Sequence, residues 1–302
     1  METIREQVLV LGARDSLVGI LTLPTAPSVA SDVPTVVILN AGIIHRVGPN
    51  RLHVQLARAL ASRGFPVLRF DLSGIGDSDN RDDTLPPTEA ALADIREVLD
   101  DLESAGRTRG VVFVGLCSGA AHALLSAAVD PRVVGLILID LYIPRTAGYY
   151  LRHYGRRVVR LQTWLNVMRG RHPVWRWLTR RVAHLTQRDG STEADAPSLS
   201  SREIQAILER ALRTAVDRRV RCLGVFTAGL ERQLNYREQL LDAFHRVPFG
   251  GLLRLEYFAN SDHTFSAEAE RARLIRLIED WTQSTPFPLP TRPEPLPPAA
   301  EP

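Results

Sequence analysis

The stretch Gly110-Val-Val-Phe-Val-Gly-Leu-Cys-Ser-Gly119 decides the fold of this chain. An apolar run over residues 110–114 leads into it, and the small residues of 120–129 follow it. A nucleophile elbow has this pattern: a strand, a tight Gly-x-nucleophile-x-Gly turn and a helix, with strain in the turn lifting the apex residue above a sheet. The apex residue is usually serine, and here it is Cys117.

Composition indicates a globular protein with free thiols. The 302 residues are 45% hydrophobic, which is ample for a buried core. No apolar run approaches the roughly 20 residues of a membrane-spanning helix, and the N-terminus lacks the order of a signal peptide, so we expect a cytoplasmic location. Cys117 and Cys222 are too far apart to indicate a disulfide framework or a metal cluster, so no metal is expected. The loop Gly74-Ile-Gly76 lacks the third glycine of a dinucleotide-binding motif, so no cofactor is expected either.

Positive charge is concentrated in one segment. The formal net charge is only +3, but residues 145–188 hold eleven arginines and neither Asp nor Glu. Three interpretations remain open: a solvated helix face, a complement to an anionic substrate or partner, and contact of Trp164, Trp175 and Trp177 with a membrane surface. The first two are favoured over membrane contact. Nucleic-acid binding is not expected, because no motif accompanies the charge.

The order of apolar runs predicts a mainly parallel α/β sheet. Residues 1–23 alternate around a turn and predict a hairpin, and short apolar runs then alternate with amphipathic helices. We therefore predict a core of residues 1–144 and 219–284 and a helical lid insertion of 145–218. Eight prolines in 285–302 predict an extended or disordered tail.

A cysteine nucleophile requires a base, an acid that orients the base, and donors for an oxyanion. The predicted base is His263, which lies in the loop after the last predicted strand. Glu231, just after the preceding strand, is the favoured acid. Asp140 at the end of an earlier strand is the alternative, and a site without a strict acid also remains open.

The oxyanion hole is predicted from the backbone. One donor is the N–H of Ser118, directly after the nucleophile. The second is expected from Gly42 or Ile43, in the loop after the strand 35–40, although Gly42 could also serve only a turn. His45 and Arg46 follow in the same loop and are predicted to bind substrate at the pocket mouth.

These motifs resemble the alpha/beta-hydrolase superfamily over about residues 1–285. The Asn40-Ala-Gly42 loop, the glycine-rich run 69–78, the elbow and the Asp262-His263 loop occur in the order that the superfamily shows. More narrowly, the chain resembles bacterial exosortase-associated hydrolases, in which a segment like His45-Arg-Val-Gly-Pro-Asn-Arg51 follows the oxyanion strand and the elbow carries cysteine. The resemblance implies an α/β-hydrolase fold with helices on both sides of the sheet.

Cysteine at the apex shifts the predicted chemistry towards thioesters. An acyl-cysteine reacts readily with thiols and amines, so the apex favours acyl transfer or thioester cleavage over attack on plain esters. We predict an acyltransferase or thioesterase acting on acyl-CoA or acyl-carrier-protein substrates, with an acidic acyl carrier protein as a candidate partner. The alternatives are an ordinary carboxylic ester hydrolase and a non-catalytic ligand-binding protein on the same scaffold.

Overall fold

The computed structural model describes residues 4–24, 33–158, 200–230 and 234–289, without the side chains of 153–158 and 230. Within these ranges eight strands form one sheet in the order β1-β2-β4-β3-β5-β6-β7-β8. The strands are β1 (Arg5–Leu11), β2 (Leu17–Leu23), β3 (Thr35–Ile38), β4 (Val67–Phe70), β5 (Val111–Leu116), β6 (Val133–Ile139), β7 (Arg221–Thr227) and β8 (Leu253–Phe258).

The sheet is parallel except at one side. β1 and β2 form an antiparallel hairpin with Leu11 opposite Leu17, and β2 pairs antiparallel with β4. All the other neighbouring strands are parallel. The predicted hairpin and the mainly parallel sheet are confirmed. Because β3 to β8 run in one direction, the loops that follow them meet at a single edge of the sheet.

Helices cover both faces of the sheet. They are α1 (Leu52–Ser62), α2 (Pro87–Ser104), α3 (Ser118–Val129), α4 (Ala147–Val158), α5 (Ser201–Asp217), α6 (Gln239–Ala243) and α7 (Glu268–Ser284). Side chains alternate across β3, where Val36 and Ile38 pack with α1 and α7 while Val37 packs with α2 and α3. This period of two produces two apolar clusters, one on each face.

The predicted insertion 145–218 ends in a helix that joins the core. Leu208, Leu212 and Ala215 of α5 are buried in the same cluster as α3. Ser200 caps α5, because its hydroxyl accepts a hydrogen bond from the N–H of Glu203. Residues 159–199 lie outside the described residues, so the lid itself stays a prediction.

The first residues of the predicted tail pack against the core. The Phe287 ring lies 5.6 Å from the Trp281 ring, edge to face, and Leu289 contacts the cluster beneath α1 and α7. Residues 290–302 lie outside the described residues. None of the helices in the described part of the chain combines the length and apolarity needed to cross a membrane.

Candidate active site

Cys117 occupies a strained turn between β5 and α3. Its φ of 59° and ψ of −116° are unfavourable for a residue with a side chain. The flanking glycines explain how the turn forms. A Cβ on Gly115 would overlap the backbone of Gly119, and a Cβ on Gly119 would lie 2.5 Å from the carbonyl oxygen of Asn40. The turn therefore packs tightly below while the Cys117 side chain is exposed above.

His263 is held by a hydrogen-bonded loop after β8. The carboxylate of Asp262 accepts bonds from the N–H of Thr264 at 2.8 Å and of Ser266 at 3.2 Å. A bond from the Ser266 hydroxyl is the main reason that the pKa of Asp262 falls to about 2. Asn50 contacts the same loop, because its amide donates to the carbonyl of Thr264 at 3.1 Å. These bonds fix the backbone on both sides of His263.

The hydrogen-bond partner of the His263 ring is Asp140. Asp140 follows β6 and is buried, and its Oδ2 lies 2.7 Å from Nδ1 of His263. Its carboxylate also accepts bonds from the N–H and hydroxyl of Thr227, at 2.8 and 2.7 Å. With Nδ1 engaged by Asp140, Nε2 is the ring nitrogen left to face Cys117. Glu231, the favoured acid in the sequence, lies outside the described residues.

The environment favours a thiolate and an imidazolium. A hydrogen bond with His263 is the main cause that lowers the pKa of the Cys117 thiol. Hydrogen bonds with Asp140 and Cys117 raise the pKa of His263 to about 10. Cys222 shows the opposite behaviour, since burial raises its pKa to about 12. Of the two thiols, Cys117 is therefore the one prepared to act as a nucleophile.

Backbone donors lie beside the Cys117 sulfur. The N–H of Ser118 is bonded to Sγ and helps to lower the thiol pKa. The turn from Ala41 to Ile44 closes with a hydrogen bond of 3.1 Å and brings Gly42 to the elbow, where its N–H donates to the Ser118 hydroxyl at 2.8 Å. Ile43 is 91% exposed at the tip of the turn.

Comparison with known proteins places this geometry in a family. The profile of the alpha/beta hydrolase family matches residues 36–300. The chain belongs to the alpha/beta hydrolase family.

Solved structures resemble this hydrolase over most of its length. Est1E from Butyrivibrio proteoclasticus is 13% identical, with a TM-score of 0.54 over 91% of this chain and 97% of that chain. An esterase from Pyrococcus furiosus is 12% identical, with a TM-score of 0.53 over 93% and 91%. Naproxen esterase from Bacillus subtilis is 16% identical, with a TM-score of 0.51 over 92% of both chains. At these identities the likeness shows the fold alone. A search of curated proteins gave no significant match.

Arg46 of the hydrolase faces inward rather than towards a ligand. Its guanidinium pairs with Asp71 and Asp77, and its backbone N–H donates to Asp71 at 2.5 Å. Asn40 completes the network, because its amide donates to Asp71 at 3.2 Å and to the carbonyl of Ile44 at 2.9 Å. The network ties the turn from Ala41 to Ile44 to the loop after β4. The charge of Arg46 is thereby compensated by two carboxylates of the protein itself. His45, on the same loop, is exposed.

Three residues that shape the hydrolase site were missed by the sequence analysis as contributors. Thr227 bonds Asp140, Asn40 fixes the turn from Ala41 to Ile44 and Asn50 holds the loop that carries His263. Thr227 and Asn40 each end an apolar run, at the edge where the strands of a parallel sheet deliver their loops, and Asn50 lies in the loop between β3 and α1. That position was the available signal.

Within the described ranges, no group of three or more His, Cys, Asp or Glu side chains is arranged to hold a metal ion.

Proposed function

We propose that this hydrolase is a cysteine-nucleophile acyltransferase or thioesterase that acts on acyl thioesters through an acyl-cysteine intermediate. The observation that carries the proposal is the continuous chain of contacts from Cys117 through His263 to Asp140. Its cysteine elbow and the segment 45–51 favour the narrower resemblance to exosortase-associated hydrolases. Catalysis, rather than ligand binding alone, accounts for a reactive thiol at a strained apex.

The first step forms a bond between Sγ of Cys117 and the carbonyl carbon of the substrate. The carbonyl π electrons move to oxygen, where backbone N–H groups near the elbow stabilise the negative charge. When the carbonyl re-forms, the carbon–sulfur bond of the leaving thiol breaks and the His263 imidazolium supplies its proton. Asp140 keeps the ring oriented and compensates its positive charge. Water or a second thiol, amine or alcohol then removes the acyl group.

Leaving-group chemistry favours thioesters over oxygen esters. A tetrahedral intermediate formed by Cys117 on an oxygen ester holds one sulfur and one alkoxide leaving group. The thiolate has the lower pKa and leaves faster, so the intermediate returns to reactants unless the alkoxide is protonated. On a thioester both leaving groups are thiolates, and the exchange proceeds without this penalty.

Substrate carriers with negative charge fit the composition of residues 145–188. Coenzyme A and acyl carrier proteins are anionic, and eleven arginines with no acidic residue would complement them. Four of these arginines lie in the described part, and the side chains of two are described: Arg145 lies 5.6 Å from the Tyr149 ring and Arg152 lies 3.9 Å from the Tyr236 ring. An acidic acyl carrier protein as partner and a cytoplasmic location remain predictions.

Intact-protein mass spectrometry tests the proposal. The protein is mixed with acyl-CoA, acyl-pantetheine and acyl carrier protein thioesters of several chain lengths, quenched in acid and digested. We expect an acyl adduct that maps to Cys117, is absent from Cys117→Ala, and forms at least about 100-fold more slowly in His263→Ala. Cys222 provides the internal control, because its buried thiol should carry no adduct.

An ordinary carboxylic ester hydrolase is the second candidate. It is favoured by structural neighbours that are esterases, including Est1E and naproxen esterase. p-Nitrophenyl esters distinguish the two in parallel assays. Rapid turnover of these esters, together with no reaction and no Cys117 adduct with any thioester, would replace the proposed function by this one.

A further inference from the structure

The hydroxyl of Ser118 contacts one of the two backbone N–H groups predicted to form the oxyanion hole. The N–H of Ser118 points to the sulfur of Cys117, while the N–H of Gly42 donates to the Ser118 hydroxyl at 2.8 Å. The Gly42 N–H is therefore already engaged by a side chain. A substrate oxygen that accepted a bond from the Gly42 N–H would have to displace this hydroxyl or share the N–H with it.

Backbone packing sets the positions of the two residues that form this bond. Ser118 is the first residue of α3, and that helix end is pressed against β3, because a Cβ on Gly119 would lie only 2.5 Å from the carbonyl oxygen of Asn40. The amide of Asn40 in turn donates to the carbonyl of Ile44 at 2.9 Å and pins the Gly42 turn. Gly42 and Ile44 belong to the same turn, so the Asn40 amide restrains the backbone that carries the Gly42 N–H.

The hydroxyl retains a proton to donate. A serine hydroxyl has one O–H donor and two acceptor lone pairs. Here one lone pair accepts the hydrogen bond from the Gly42 N–H. In the part of the chain that the structure describes, this O–H donates no hydrogen bond, and the Ser118 side chain is only partly buried. Accepting from Gly42 also polarises the hydroxyl and makes it a stronger donor.

We propose that Ser118 is a catalytic residue whose hydroxyl donates a hydrogen bond to the oxyanion, with Gly42 as the positioning residue behind it. The inference rests on the proposed function. As Sγ of Cys117 bonds to the carbonyl carbon, the oxygen gains the π electrons and accepts bonds from the N–H and the O–H of Ser118. The hydroxyl keeps its proton, and the two bonds weaken again when the carbonyl re-forms.

The opposite role makes the opposite prediction. If the hydroxyl only blocked the hole, it would rotate away when substrate binds, and removing it would free the Gly42 N–H and speed acylation. If the hydroxyl is a donor, its removal leaves the Gly42 N–H too far from the oxyanion to replace it, and acylation slows. The sign of the effect of Ser118→Ala therefore separates the two roles.

Two reactions of the same sulfur provide the test. Single-turnover acylation of Cys117 by acyl-pantetheine passes through an oxyanion, whereas alkylation by iodoacetamide does not. We expect Ser118→Ala to slow acylation about 100-fold, the usual effect of losing one oxyanion donor. Its alkylation rate should stay within about 3-fold of the wild type, because the N–H that bonds the sulfur is kept. Ser118→Thr, which keeps a hydroxyl, should recover at least about 10-fold of the acylation rate.

Each outcome decides between the roles. Acylation of Ser118→Ala at or above the wild-type rate would overturn the proposal, and so would an equal loss in acylation and alkylation, since that would indicate a distorted elbow. A threonine variant as slow as the alanine variant would also count against a hydroxyl donor. If the wild type itself forms no acyl adduct, the proposed function fails; if it does and Ser118→Ala matches it, only this inference fails.

Discussion

Replacing Asp140 with asparagine should disable the base while leaving the elbow intact. Oδ2 of Asp140 accepts bonds from the Thr227 hydroxyl and from Nδ1 of His263, each at 2.7 Å. In the asparagine variant the amide oxygen can keep the bond from the N–H of Thr227. The NH₂ group then faces both the Thr227 hydroxyl and Nδ1 of His263. The hydroxyl can turn and accept, but Nδ1 accepts only in the other ring tautomer. The ring proton then sits on Nε2, points at Cys117 and prevents the ring from taking the thiol proton.

The size of the effect follows from the histidine. Its pKa rises from 6.5 to about 10 in the folded protein, with the Asp140 hydrogen bond as the largest cause. That shift corresponds to about 4.8 kcal/mol. Part of this energy comes from the contact with Cys117, and solvent weakens the rest because the His263 side chain is 30% exposed. We assign about 2 kcal/mol to Asp140, a factor of about 30 in rate. Its charge also raises the Cys117 pKa, but less than the His263 bond lowers it.

The assay is the pH dependence of iodoacetamide alkylation at Cys117. In the wild type the thiolate–imidazolium pair persists from the lowered thiol pKa up to about 10, where the imidazolium loses its proton. In Asp140→Asn the thiol should titrate closer to its ordinary 9.0, so the rates differ about 30-fold near neutral pH and converge above about pH 9. Asp130→Asn, the same change in a carboxylate just before β6, is the matched control. Superimposable profiles for wild type and Asp140→Asn would refute this reasoning.

Two further variants test the scaffold around the site. Arg46→Met leaves the fully buried Asp71 carboxylate without its cation and should lower the free energy of unfolding in urea by about 3 kcal/mol. Adding Asp71→Asn should recover part of this loss. A larger KM increase for anionic than for neutral thioesters would instead indicate that Arg46 binds substrate. Gly229→Ala places a Cβ against the backbone nitrogen of His263, so single-turnover acylation should fall about 100-fold while Gly251→Ala, which meets no neighbour, is unaffected. Equal rates for the two alanine variants would contradict the proposed contact.

Much of the fold was predictable because its signals are local. The alternation in the first 23 residues predicted the hairpin, and each buried parallel strand appeared as a short apolar run. Strand ends were less accurate. The apolar run from Thr35 continues through Asn40, but β3 ends at Ile38. The strand stops earlier because the Asn40 amide donates to the carbonyl of Ile44 and to Asp71. Hydrophobicity cannot reveal such a change of role.

Which carboxylate contacts His263 depends on tertiary structure that spacing does not encode. Chain order favoured Glu231, which follows the end of β7 by four residues. In the structure the last residue of β7 is Thr227, and it donates two bonds to Asp140 at the end of the neighbouring strand. Choosing between the strand ends requires knowing that β6 and β7 are adjacent and that the His263 loop lies above them. Similarly, the inward direction of Arg46 depends on Asp71, which is 25 residues away.

Backbone strain identifies the same site without any reference to titration. Seven residues other than glycine have positive φ in the described ranges: Asp15, Asn50, Arg51, Cys117, Asp140, Arg219 and Phe265. Five of these, all but Asp15 and Arg219, lie at the elbow, at Asp140, or in the two loops joined by the Asn50–Thr264 bond. Each such conformation costs about 1–3 kcal/mol and persists only where its surroundings hold it. Asp140 is held by three hydrogen bonds, and Phe265 by burial against Phe258. Strain concentrated on the groups that would align a nucleophile with its base is the distribution expected of a catalytic site, and it supports the proposed function.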